Sequence, residues 1–160
     1  MGLEAFTANV YTDVLEDNIA LTDVGYLMAM TGSTDVNNFV CNKYAKTYGE
    51  QGNFRLISSD EMKMAPDKIS EMSLFSPKDD YINLIEAARD YPSMHEIEIK
   101  DKNHFVEVMK QINEVDQSIP IFTLNAEGNF KMIPANYESV EIEEGSKLAY
   151  LGKQMEMAKV

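Results

Sequence analysis

The sequence predicts an α/β protein, a parallel βαβ unit followed by a smaller α+β lobe. Three observations predict it. The run Gly25-Tyr26-Leu27-Met28-Ala29-Met30 is apolar almost without a break, as in a strand covered on both faces of a parallel sheet. A polar turn, a helical apolar period and a second apolar run follow it directly, which is the order of a right-handed crossover. Beyond residue 93 the pattern changes to short alternating strands, one amphipathic helix and a hairpin signal.

Taken in order, Ala8-Asn9-Val10-Tyr11 reads as a short strand, and Thr12-Asp13 as the cap of a brief helix from Val14 to Ile19. After the Gly25–Met30 strand, Thr31-Gly32-Ser33-Thr34 is a turn whose hydroxyls can cap a helix. Val36, Val40 and Tyr44 then recur at steps of four with Phe39 beside them, so Asp35 to Tyr48 is a helix with one apolar face. Asp35 suits the positive end of its dipole, and Gly49 stands where a left-handed cap belongs. Asn53 to Ile57 closes the unit as a strand. Residues 58–92 read as an irregular connector carrying one helix, Tyr81 to Tyr91, with Asp79 or Asp80 as its cap, Ile82, Leu84, Ile85 and Ala88 as its apolar side, and Pro92 as its stop. Glu96 to Lys100 alternates charged and apolar residues, as a half-exposed strand does. Phe105, Val108, Met109 and Ile112 share one helix face; Ile119–Leu124 and Phe130–Ile133 form a hairpin turning at Gly128; Lys147 to Leu151 is the closing strand. The expected division is 1–59 for the βαβ half, 60–92 for the connector and 93–160 for the second lobe.

Composition narrows the function. With 14 Lys+Arg against 27 Asp+Glu, the formal charge is −13, which opposes binding to nucleic acid or to an anionic membrane surface. No apolar run approaches the ~20 residues of a membrane span, so no direct membrane insertion of this segment is expected. A single cysteine, Cys41, excludes an internal disulfide framework and fits a reducing compartment.

Two stretches resemble a known architecture. Tyr26 to Asn38 is similar to the fourth strand, turn and helix of the RCK/TrkA-type nucleotide-binding domain, with Thr31, Asp35 and Asn37 at the family's Thr, Asp and Asn positions. Glu96 to Lys153 resembles the companion TrkA-C (RCK-C) lobe: an opening strand, the hairpin around Gly128, Ile133-Pro134, and the closing Glu144-Gly145-Ser146-Lys147-Leu148-Ala149-Tyr150-Leu151-Gly152, with Ser146 where the family usually has Asp. The resemblance implies half of a Rossmann-like TrkA-N unit followed by an RCK-C-like lobe. The Gly-x-Gly-x-x-Gly turn of that nucleotide site is absent from the sequence, so a nucleotide (NAD-like) cofactor is implied by the family and not expected in this fragment. Asn53-Phe54-Arg55-Leu56, the long connector and the Tyr81–Tyr91 helix look most like the cytosolic tails of monovalent cation:proton (sodium/hydrogen) antiporters. On that resemblance the chain is a non-enzymatic regulatory domain on the cytoplasmic side of the cell membrane. It would be the C-terminal piece of a longer polypeptide, pair as a homodimer, and act on the membrane transport domain of the same polypeptide. The alternative is a free-standing, soluble TrkA-like ligand-sensing subunit of a potassium transport system.

The candidate binding residues are Thr31, Gly32 and Asp35, at the carboxyl end of a parallel strand where open α/β sheets bind ligands and helix-start N–H groups hold anions. An ordinary βα turn with a hydroxyl cap accounts for the same residues. His95 and His104 fit no metal spacing, and Cys41 has no base beside it in sequence, so no metal and no catalytic residue is expected. Asp79-Asp80, Glu96/Glu98 and Glu141/Glu143/Glu144 supply oxygen atoms but read as wet faces. Met28 and Met30 are expected in a buried strand and Met109 on a core helix face, while Met62, Met64, Met72, Met155 and Met157 read either as an adaptable contact surface or as plain core filling, and the sequence does not choose. The half sheet would leave an edge near Ala8–Tyr11 that needs covering.

Overall fold

The computed structural model describes residues 5–12, 25–48, 52–64, 73–76 and 78–155, and its architecture is mixed α/β with one parallel and one antiparallel sheet. Strand β1 (Leu27–Ala29), helix α1 (Thr34–Tyr48) and strand β2 (Asn53–Leu56) make the βαβ unit, with Leu27 opposite Asn53 and Ala29 opposite Arg55 in parallel register. A short helix α2 (Ser59–Met64) and a two-residue strand β3 (Ser73–Leu74) follow, and β3 lies parallel to β2, giving the order β1-β2-β3. Helix α1 covers one face because Val40 and Tyr44 are one turn apart and pack on Ala29, with Leu27, Val36 and Phe39 at the margin. Arg55 forks onto the Glu61 carboxylate at 3.0 and 2.6 Å, tying β2 to α2.

The first strand departs from expectation. Ala8–Tyr11 is not a strand: the Asn9 side chain accepts from Tyr11 N and its carbonyl from Thr12 N, a polar turn that consumes the groups a ladder would use. No strand edge exists there to be covered. The expected helix Val14–Ile19 and the cap at Gly49 lie outside the described residues. Among the described residues strand β1 is buried on the α1 face, and on the other face only the Tyr26 ring packs, against Phe54 and Phe130. Ala29 is buried, while Tyr26, Met28 and Met30 point away from α1 and stay 37–40% exposed, so the two methionines are not core residues.

Helix α3 (Tyr81–Asp90) starts at Asp80, whose carboxylate accepts from Ile82 N and Asn83 N at 3.0 and 3.1 Å. Its packed side is Tyr81, Leu84 and Ala87, whereas Ile82 and Ile85 face outward. The expected apolar side held at Leu84 alone, because the sequence carries two apolar stripes and the β2–β3 core takes the other one. Phe54, Leu56, Leu74 and Phe75 from the parallel layer meet Ala87 and Ile119 in one buried cluster. The Ala135 N–H donates to Ser73 O, and Leu74 bridges Pro134, so the backbone just after the strand Phe130–Met132 of the second sheet touches β3 as well.

The second sheet holds β4 (Met94–Glu98), β5 (Ser118–Leu124), β6 (Phe130–Met132) and β7 (Lys147–Gly152) in the antiparallel order β4-β7-β5-β6. Helix α4 (Lys102–Glu114) is capped by Asp101 and buries Phe105, Val108, Met109 and Ile112 against Ile99, Ile133, Leu148 and Tyr150. Each such large apolar side chain contributes about 1.5–3 kcal/mol on burial. Pro120 has no N–H to give β7, and the register shifts between Pro120 and Phe122, which accommodates the loss. The hairpin turns through Gly128 at φ 88°. At the end of β7, Gly152 sits at φ 120°, and a Cβ there would collide with Gln117 O, so only glycine fits. Gly152 N donates to Ser93 O, Lys153 N to Gln117 O, and Ser118 Oγ to Lys153 O, which fastens β7 to the starts of β4 and β5.

Candidate functional site

The chain leaves β1 at Met30 and turns through Thr31-Gly32-Ser33 into α1. Asn37, in the first turn of α1, organises that turn. Its Oδ1 accepts from Thr31 N at 3.0 Å and from Thr31 Oγ1 at 2.8 Å, and its Nδ2 donates to Thr31 O at 3.0 Å and toward Leu56 O at 3.4 Å. Ser33 supplies the cap, its hydroxyl accepting from Val36 N at 3.3 Å. Val36 N and Asn37 N at the helix start are thus held by Ser33, and Asn37 is 2% exposed.

Above the turn is a cleft of about 110 Å³ lined by Thr31, Gly32, Asn37, Leu56, Asp80 and Tyr81, among others. Helix α3 forms its roof: a Cβ on Gly32 would stand 3.0 Å from the Tyr81 ring. Thr31 and Gly32 thus line the cleft. Asp35 is exposed and is not part of its lining, so the three expected residues do not converge. Small-molecule pockets commonly enclose about 300–1,000 Å³, so this one, as it stands, admits a small group rather than a dinucleotide. Asn37 carries the site, and the sequence signal for it is an amide placed six residues after a strand-ending Thr.

The other candidates have structural partners. His95 Nε2 lies 3.1 Å from Gly152 O with its ring against Tyr150, and His104 Nδ1 accepts from Lys100 N at 3.2 Å. Cys41 Sγ sits 3.6 Å from Phe54 O, and burial pushes its thiol up, with Arg55 opposing, the reverse of an activated nucleophile. Glu96 and Glu98 are on the wet face, with Glu96 held by Lys147 at 3.0 Å, and Glu143 takes Asn125 at 2.7 Å. Asp79 and Asp80 part company: Asp80 caps α3, whereas Asp79 is 4% exposed, and burial raises its carboxyl to about 6 despite a Ser76 hydrogen bond and the nearby Lys78 charge. Among the described residues no three His, Cys, Asp or Glu side chains converge as metal ligands, and no helix is long and apolar enough to cross a membrane. Compared with known proteins, the chain matches no family model, no curated protein and no solved structure.

Proposed function

We propose that the chain is a cytosolic regulatory domain of a monovalent cation:proton antiporter, non-enzymatic, paired as a homodimer and coupled to a transport domain in the same polypeptide. The observation that carries this reading is the roof of the βα-turn cleft. Tyr81 lies against Gly32, and the helix it opens is packed through Leu84 and Ala87 into the cluster that joins the parallel layer to Ile119 of the second sheet. A group larger than this space of about 110 Å³ has to displace Tyr81, and with it α3. Occupancy is thereby tied to the arrangement of the two sheets, which is how a ligand with unequal affinity for two arrangements shifts a gate. The strand order β1-β2-β3 supports the same reading, since strands four to six of a doubly wound sheet run in sequence in that way and β1 then stands at the switch point. Regulation of this kind needs no reacting constellation.

The test is transport by the full parent polypeptide in everted membrane vesicles. Gly32→Ala presses a methyl group on the Tyr81 ring and Tyr81→Ala removes the roof. Both are expected to shift the exchange rate or its activation midpoint by about fivefold or more, the low end of ordinary coupling energies, at unchanged transporter abundance. Unchanged transport in both variants, or an upstream reading frame without hydrophobic spans, overturns the proposal.

A further inference from the structure

The run Gly25–Met30 is as apolar as a strand covered on both faces, yet its outer row is open. Tyr26, Met28 and Met30 alternate along it, share the face turned away from α1, and are all exposed. Met28 stands opposite Phe54 in register, and Phe54 is buried in the cluster that joins the two sheets, so the row is the open margin of that cluster. Tyr26 carries it on to the second sheet. Its ring lies 6.0 Å from that of Phe54 and 5.1 Å from that of Phe130 in β6, which is exposed in turn. Met30, Met28, Tyr26 and Phe130 thus form one apolar strip with roughly 300 Å² in contact with water, taking about 200 Å² for each whole side chain. Patches of that size often mark binding surfaces.

Three kinds of occupant ask different things of this strip. An added strand needs a row of open backbone groups. Leu27 N donates to Gly52 O at 2.8 Å, which turns Leu27 and Ala29 toward β2 and leaves only Met28 of β1 facing outward. A second copy would bring the same strip, but roughly 300 Å² falls well short of the ~800 Å² per partner of a stable interface. It would also bring a second formal charge of −13 against the first. A helix fits by spacing. Alternate strand residues recur about every 6.6 Å and helical turns about every 5.4 Å, so anchors at i, i+4 and i+7 lie along Tyr26, Met28 and Met30. Methionine side chains, unbranched and polarizable, mould to such a face.

Charge selects the kind of helix. Residues 25–38 and 125–130, which build the strip and its two ends, hold Asp35 and Glu127 and no Lys or Arg. Lys131, next along β6, is paired with Glu143 at 3.7 Å. The rim is therefore acidic, on a chain with 27 acidic side chains for 14 basic ones. We propose that this strip docks a cationic amphipathic helix of a partner protein, its apolar anchors on Tyr26, Met28, Met30 and Phe130 and its Lys or Arg residues toward the acidic rim.

A peptide of about 18 residues made of Leu and Lys, with leucine at i, i+3, i+4 and i+7 spacing, is the probe, titrated into the chain by calorimetry. Saturable binding of one peptide per chain is expected. It should weaken about tenfold or more in the double variant Met28→Ser with Met30→Ser and in Phe130→Ser, and stay unchanged in Met64→Ser, exposed on α2. All these positions are exposed, so the variants keep the fold, which an unchanged thermal transition checks. A scrambled peptide of the same composition, and a Leu/Glu peptide with the same apolar period, should each bind at least about tenfold more weakly. No binding, or equal binding by the scrambled peptide or by all variants, overturns the proposal, the latter two as diffuse attraction to an acidic surface. Equal binding of the Leu/Glu peptide overturns it as well, since the rim then selects no charge. So does a chain that sediments as a dimer and becomes monomeric in the double variant, because a second copy then occupies the strip.

Discussion

Asn37 and Asp35 differ by two positions and by almost everything else that matters to stability. The Asn37 amide satisfies three polar groups of Thr31 and reaches toward the Leu56 carbonyl from a position that is 2% exposed. Asn37→Ala removes these bonds from a buried position, although the exposed Thr31 keeps its hydroxyl bonds with Ser33, and is expected to cost about 1–3 kcal/mol in urea unfolding. Asp35→Asn changes only a charge near the helix start and should stay within about 0.5 kcal/mol. The Asp79 carboxyl offers a test of sign. Raised from 3.8 to about 6, it holds a proton in the folded chain that the unfolded chain has already released, so its contribution to stability falls as pH rises through that window. Asp79→Asn removes the effect, and its stability relative to the parent chain should grow between pH 3.8 and about 6, levelling off about 2–3 kcal/mol higher above pH 7. The sequence shows that both Asp79 and Asp80 are charged. It does not show that one caps a helix in water while the other is enclosed, because adjacency in sequence does not fix which of two neighbouring side chains the fold buries.

Among the elements, those with a full period of their own were readable from the sequence. Helix α4 presents Phe105, Val108, Met109 and Ile112 on the face the spacing predicts, and β5–β6 turns at Gly128 as predicted. Helix α2 and strand β3, six and two residues long, are too short to carry a period, and they fell within what reads as an irregular connector. In α3 the period is present but double: Ile82 and Ile85 make a second stripe, and only the neighbouring core decides which stripe is buried. Its start is legible and testable. Asp80→Ala removes the acceptor for Ile82 N and Asn83 N and should cost about 1 kcal/mol in thermal unfolding, with loss of helical signal confined to that turn.

At the scale of the molecule, the core residues Phe54, Leu56, Leu74 and Phe75 of the parallel layer share one cluster with Ala87 and Ile119. Phe75 is 1% exposed, and Phe75→Ala is expected to cost about 3–5 kcal/mol. Because the cluster belongs to both sheets, the loss should appear as one lowered calorimetric transition, and two separate transitions would show that the sheets unfold independently. The mixed α/β character of the fold was legible from the sequence. The seam between β3 and Pro134 was not, since two residues of strand and an isolated bridge leave no pattern to find.

The clasp at the end of β7 has a consequence in time. Strand ends ordinarily fray, and their amide protons trade with solvent early. The N–H groups of Gly152 and Lys153 are instead held by carbonyls at Ser93 and Gln117, residues that lead into two other strands. Releasing the Gly152 proton means parting β7 from the start of β4, and releasing the Lys153 proton means parting it from the start of β5. These two amides should therefore exchange with solvent as slowly as those at the centre of the sheet, so that the last stretch of the ladder opens with its middle.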